Sequence, residues 1–371
     1  MTLAFVVAVL AVFAFGMVTV FPGSVKLRLV ERVPMDDARI GRMIMVWQFT
    51  TLAVTIFVGP LIDRIGHRWI AVAGFLIVAA AILALSAART PAGAFLGCAF
   101  LGVGGSCVNA VGNTLLPALN PANPAAASNL GNVFFGLGAF TVPFVIAFLF
   151  ERVSYPVALN VFGIIAAAAA LPAALADYPA AGGGADLAAA FALISSPAAL
   201  LAGFILFCYI GLEVSAASWT TTYLKKVGFD ERRASILLAL FWVSMIVGRL
   251  ITSQFVTTAV GRATIQVAAL AAAGALFLMT GTMRRRLAGG CAVLSGLFFA
   301  PIFPTTIGLT YSKFDPSLYG SVFAVMLPIG LLGPSVVPAL IGNVSRSRGI
   351  HAGYRIMVAL AVLLFLLAFA L

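Results

Sequence analysis

TTLAVTIFVGPLIDRIGHRWIAVAGFLIVAAA, residues 50–81, decides the fold. An apolar run precedes it from about residue 38 and ends near 60, and a second run fills 68–88. Each is close to the ~20 apolar residues that a helix needs to cross a bilayer. Between them the charges crowd into GPLIDRIGHR (59–68), with Asp63, Arg64, His67 and Arg68 inside one short turn. A tight polar turn between two spans reads as a hairpin of membrane helices.

The rest of the chain repeats this grammar. Of the 371 residues, 63% are hydrophobic and 9% charged, against about 45–50% apolar in an ordinary soluble domain. So little polar surface could not cover a soluble fold of this length. Apolar runs near 2–24, 38–60, 68–88, 91–116, 128–150, 155–176, 197–224, 232–253, 263–282, 287–311, 318–343 and 352–371 predict twelve membrane spans. Backbone polar groups must be satisfied inside lipid, and no period-two alternation suggests a barrel, so the spans read as helices. The N-terminal run lacks a cleavage-site pattern and reads as a retained helix.

The stretch 177–196, DYPAAGGGADLAAAFALISS, carries three consecutive glycines and reads as a flexible joint. It divides the chain into an N-terminal six-helix bundle (1–176) and a C-terminal one (197–371). GRLITSQFVTTAVGR (248–262) occupies in the second half the ordinal place that GPLIDRIGHR holds in the first. Two parallel repeats of this kind build carriers around a midplane site.

GPLIDRIGHRWI resembles the hallmark loop of the major facilitator superfamily through Gly59, Leu61, Asp63, Arg64, Gly66 and Arg68, with His67 where an Arg is usual. YIGLEVSAASWTTTYL (209–224), GRLI (248–251), APIFPTTIGL (300–309) and NLGNVFFGLGA (129–139) resemble helices of the fucose/glucose/galactose–proton symporter branch. The resemblance implies an all-α polytopic fold, twelve transmembrane helices in two pseudo-symmetric six-helix bundles, with one central site and rocking of one bundle against the other. It implies a carrier of a small polar solute, a sugar foremost, coupled to protons in that branch. It also implies a multi-pass protein of a bacterial inner membrane, acting as a monomer.

Glu213 is the clearest ionisable residue within a run. Such a residue costs roughly 2.5–3.5 kcal/mol on insertion scales, which makes it a functional candidate. It reads as a proton carrier or substrate acceptor, or else as a structural carboxyl bonded to Tyr209 one turn back. The branch carries carboxylates in its first and fourth helices; neither run has one here, so coupling has moved to Glu213 or is absent.

Asn109 and Asn113 share a face of the fourth helix, and Asn129 and Asn132 a face of the fifth. With Gln48, they offer amides that both donate and accept, suited to a polyhydroxylated ligand. Trp219 and Trp242 could pack on a sugar's apolar face. The alternative is interhelical glue at about 0.6 kcal/mol per bond. Asp63, Arg64, Arg68 and Arg249 are candidate gating residues: Asp63 could cap a neighbouring helix or pair with Arg68 or Arg249, or the charges could simply mark the headgroup level.

Cys98, Cys107, Cys208 and Cys291 lie in apolar runs without metal-ligand spacing. His67 and His351 are expected in loops. No cofactor, metal or nucleic acid is called for, and no nucleophile–base–metal set points to an enzyme. Two alternatives stay open: a facilitator or exchanger of an organic anion using Arg249, and a non-transporting receptor. Charge placement conflicts with family topology. With both termini cytoplasmic, only Arg64, Arg68, Arg249, Arg262 and Lys313 of the 22 Lys and Arg fall inside, against the positive-inside tendency.

Overall fold

The computed structural model describes residues 2–179 and 192–371. Among them are fourteen α-helices: α1 (Leu3–Arg32), α2 (Asp37–Ile65), α3 (His67–Ala87), α4 (Pro91–Leu119), α5 (Pro124–Phe150), α6 (Tyr155–Ala168), α7 (Ala170–Leu175), α8 (Pro197–Lys226), α9 (Glu231–Phe255), α10 (Thr258–Gly281), α11 (Arg285–Phe299), α12 (Ile302–Tyr311), α13 (Tyr319–Arg348) and α14 (Ile350–Leu367). Described residues contain no strand. These helices make 12 stretches long and apolar enough to cross a membrane, because α6 with α7 and α11 with α12 are each one span with a break inside it. The protein is therefore a multi-pass integral membrane protein.

Polar residues at the run ends continue helices rather than stopping them. α1 runs on to Arg32, α5 starts at Pro124 and α10 at Thr258, all beyond the apolar limits read from the sequence. Hydropathy marks the part of a helix in lipid, while capping marks its end. Asp36 accepts from Arg39 N at 2.7 Å and starts α2; Asp230 accepts from Arg233 N at 2.9 Å and starts α9. The polar turn at 59–68 is tighter than a loop. α2 ends at Ile65, α3 begins at His67, and Gly66 alone reverses the chain with φ 84°, a backbone state that glycine takes without strain. His67 and His351 accordingly stand in the first turns of α3 and α14, not in loops.

The chain groups into two compact units. Unit 1 is Met1–Leu119, Phe134–Ala190 and Pro316–Ala324; unit 2 is Asn120–Val133, Phe191–Asp315 and Val325–Leu371. The first turns of α5 thus group with unit 2 and the first turns of α13 with unit 1. Within unit 1, α4 is the enclosed helix. Every residue from Gly104 to Pro117 is buried, and its small side chains let α1, α2 and α3 pack closely around it. Within unit 2 the broken span of α11 and α12 plays that part, packed by α8, α9 and α10. The glycine run of the expected joint falls in residues 180–191, outside the described residues. On either side of it, Leu193–Ser195 form a 3-10 turn and Ala176–Tyr178 are tied to α3, as described below.

Candidate functional site

In unit 2, Tyr209 and Glu213 stand one turn apart on α8 and meet Arg249 from α9. The guanidinium donates through Nη2 to Tyr209 Oη at 3.2 Å and to Glu213 Oε1 at 3.4 Å, and through Nη1 to the Asn132 carbonyl at 3.3 Å. The side chains of Arg249 and Glu213 are 3% and 14% exposed. A charge that deep is sustained only by an opposite charge and further hydrogen bonds, and this cluster supplies both. The Tyr209 ring, fully buried, lies 6.3 Å from Phe299 and 6.0 Å from Phe303. Those two rings flank Ala300 and Pro301, where α11 breaks into α12; Pro301 has no N–H to continue the helix. The site therefore sits beside an interrupted span.

Asn132 contributes its backbone carbonyl, while its amide donates to Ser128 O at 3.0 Å. Asn129 donates to Ala125 O at 2.9 Å and to Thr305 Oγ1 of α12 at 3.0 Å. Its Oδ1 is buried with no donor facing it, a free acceptor beside α12. Trp219 donates to Pro338 O at 3.2 Å, and Trp242 is half-buried edge-on to Phe241 at 5.2 Å. Both indoles have partners apart from the Glu213 cluster.

In unit 1 the amides Asn109 and Asn113 share a face and satisfy each other. Asn113 Nδ2 donates to Asn109 Oδ1 at 2.8 Å and to its carbonyl at 3.0 Å. Gln48 is exposed on α2. Behind it, Ser106 Oγ lies 2.5 Å from Thr55 Oγ1 and donates to Thr51 O at 2.9 Å, a buried hydroxyl ladder joining α2 to α4.

Of the pairings open to Asp63, the cap is the one formed. Its carboxylate accepts from Gly320 N at 2.9 Å and Ser321 N at 2.6 Å, at the start of α13, where the helix dipole favours an anion. Gly59 and Gly320 lie backbone against backbone, and a Cβ on either would fall on the other's carbonyl oxygen. Arg249 joins Glu213 instead, and Arg68 donates to Ala176 O at 2.9 Å while lying 6.0 Å over the Tyr178 ring. His67 bonds Thr114 Oγ1 at 3.0 Å and stacks on Tyr178 at 6.4 Å. Burial pushes the Tyr178 phenol up to about 12, against the opposing pull of Arg68. Arg64 is exposed.

Sequence reasoning set Glu213 beside Tyr209 as one of its readings but named Asn132 and Arg249 apart from them and did not join the four. The separation of 36 positions between Glu213 and Arg249 has no local signature. The only signal was two opposite charges within apolar runs.

A polytopic helical protein with a buried, internally neutralised charge cluster beside a broken span belongs among membrane carriers in architecture. The chain belongs to the Major Facilitator Superfamily, whose profile matches residues 3–338. The crystal structure of FucP in its outward conformation superposes with a TM-score of 0.81 at 16% identity, covering 99% of this chain and 98% of that one; FucP is the fucose:proton symporter of E. coli. The human organic anion transporter MFSD10 gives a TM-score of 0.76 at 17% identity, covering 99% and 98%. Among curated sequences, Bypass of stop codon protein 6 of Saccharomyces cerevisiae is 26% identical over 172 residues, 43% of this chain. The match spans about a third (35%) of that relative's length.

Proposed function

We propose that the chain is a secondary transporter that carries a small polar solute, a sugar foremost, by alternating access, with Glu213 as the group that links transport to protons. The observation that carries this reading is the Asn132–Tyr209–Glu213–Arg249 cluster. Its carboxylate accepts, its guanidinium donates in several directions and its phenol does either, the set that a polyhydroxylated solute needs. A proton on Glu213 would dissolve the ion pair and free Arg249 donors for a solute, so protonation and binding would be linked through one side chain.

The cluster's neutrality also favours a neutral solute over an anion. Likeness to an organic anion transporter invites the second reading, but Arg249 already has its counter-ion in Glu213. The full-length likeness to the fucose:proton symporter supports the sugar. We also assign the chain to a bacterial inner membrane. We further assign the halves 1–176 and 197–371 as the two bundles joined by 177–196, acting within a monomer, and Asp63 with Gly320 and Ser321 as a latch.

Uptake of labelled fucose and related sugars by proteoliposomes tests the reading. Parent protein should concentrate a sugar when a proton gradient is imposed. Glu213→Gln should lose gradient-driven uptake and keep counterflow, which shows the variant folded. Gradient-driven uptake at the parent rate would remove Glu213 from the coupling role. Competition by carboxylates but not by sugars would replace the sugar with an anion.

A further inference from the structure

Along one seam of unit 1, α1 and α6 carry two features that transport chemistry does not use. The first is a cleft of about 100 Å3 between α1, α3 and α6, with Phe13, Met17, Phe21, Phe162, Ile165 and Ala166 among its walls. The second is a group of arginines and aromatic rings drawn from the C-terminal ends of α1 and α5, the turn after α5 and the start of α6. Arg28 lies 5.9 Å over the ring of Phe150, Arg32 5.3 Å over that of Tyr155, and Arg152 3.9 Å over that of Phe148.

The two features are aligned in depth. At 1.5 Å per residue, Phe21 lies about 10 Å and Phe13 about 22 Å along α1 from Arg28. On α6, Phe162 lies about 10 Å and Ile165 about 15 Å from Tyr155. The arginines thus stand where a span meets the headgroups, and the cleft opens at the depth of acyl chains. Attraction to the rings steadies the guanidinium groups, and those of Arg32 and Arg152 make no ion pair among the described residues. The Tyr155 hydroxyl donates to Leu85 O at 3.3 Å, which fixes that ring. Glu31 pairs with Arg28 at 3.2 Å. Counting Lys26 and Glu151, residues 26–32 and 151–152 hold four basic residues and two carboxylates.

We propose that this seam binds an anionic glycerophospholipid, its phosphate held by Arg28, Arg32 and Arg152 and one acyl chain lying in the cleft below. Guanidinium forks match phosphate oxygens, and a cleft walled by apolar side chains suits a hydrocarbon chain.

The purified chain in detergent, titrated with phosphatidylglycerol or with phosphatidylcholine of the same acyl chains and read by native mass spectrometry, tests this. Phosphatidylglycerol should bind at least tenfold more tightly. Arg28→Gln, Arg32→Gln and Arg152→Gln should each weaken it by about fivefold, the equivalent of about 1 kcal/mol per basic residue at a membrane surface. Ala166→Leu, which fills the cleft, should weaken it with every arginine in place. Equal binding of the two lipids, or parent affinity in the triple arginine variant, would overturn the proposal. So would glycerol phosphate competing at the concentration at which the lipid binds, since that marks a site for a free anion without a chain. The arginines are on the surface, so their variants decide the matter even if the cleft variant does not fold.

Discussion

Glu213 and Arg249 can be removed singly or together, and the outcomes should differ in kind. At 3.4 Å and an effective dielectric of about 20, the pair attracts by about 5 kcal/mol. Burying the two ions costs several kcal/mol each, so the pair as a whole adds little to stability. Deleting one partner changes that balance. Glu213→Leu leaves a guanidinium buried beside Tyr209 Oη and the Asn132 carbonyl without the Glu213 charge, and Arg249→Met leaves a carboxylate with the Tyr209 hydroxyl beside it but without its cation. Each should destabilise by about 3–5 kcal/mol. The double variant Glu213→Leu/Arg249→Met removes both charges and should return to within about 1 kcal/mol of the parent. All four cysteines are free and buried, so a thiol-reactive fluorophore reports unfolding in detergent directly. The expected order of midpoints is parent and double variant together, both singles well below. A double variant that melts as far down as the two single losses added together would refute the pairing and its electrostatic reasoning.

Three other outcomes follow from the packing. Asp63→Ala removes the acceptor for Gly320 N and Ser321 N and should cost about 1–2 kcal/mol, with faster amide exchange at those two residues; Asp63→Asn, which keeps one oxygen, should fall between. Gly320→Ala drives a Cβ onto the Gly59 carbonyl and Asp63 Oδ1 and should lower the melting midpoint sharply, whereas Gly274→Ala, with nothing within 4 Å, should raise stability by up to about 1 kcal/mol through helix propensity. Thr305→Val leaves Asn129 Nδ2 with only Ala125 O and should cost about 1 kcal/mol, read by the same fluorophore.

The spans were legible because lipid imposes a simple rule: a run of apolar residues long enough to cross must be a helix. The run near 68–88 became α3 at His67–Ala87 with hardly a shift. Where a span ends was less legible, since α1 continues through Lys26 and Arg28 to Arg32 under hydrogen bonding that hydropathy does not register. The breaks after Ala168 and Phe299 each have a proline beside them, Pro172 and Pro301, but Pro328, Pro334 and Pro338 stand inside the unbroken α13, so a proline alone does not mark a break. At the candidate site the residue types stood out individually. The amides that share a face could be read from spacing, but Asn113 bonding Asn109 rather than facing a ligand depends on rotamers. Glu213 meeting Arg249 depends on how α8 and α9 are rotated about their axes, which no local pattern encodes. The hydroxyl ladder of Thr51, Thr55 and Ser106 was hidden for the same reason: Ser and Thr are too common in membrane helices to signal a pair.

Asp63 reaches the main chain of α13, not a side chain. Exchange of the buried Ser321 for another small residue with an N–H would leave that contact whole, so no covarying cation need accompany the aspartate through descent. The constraint falls instead on the bare α-carbon at 320, where even one added methyl group would push the two backbones apart.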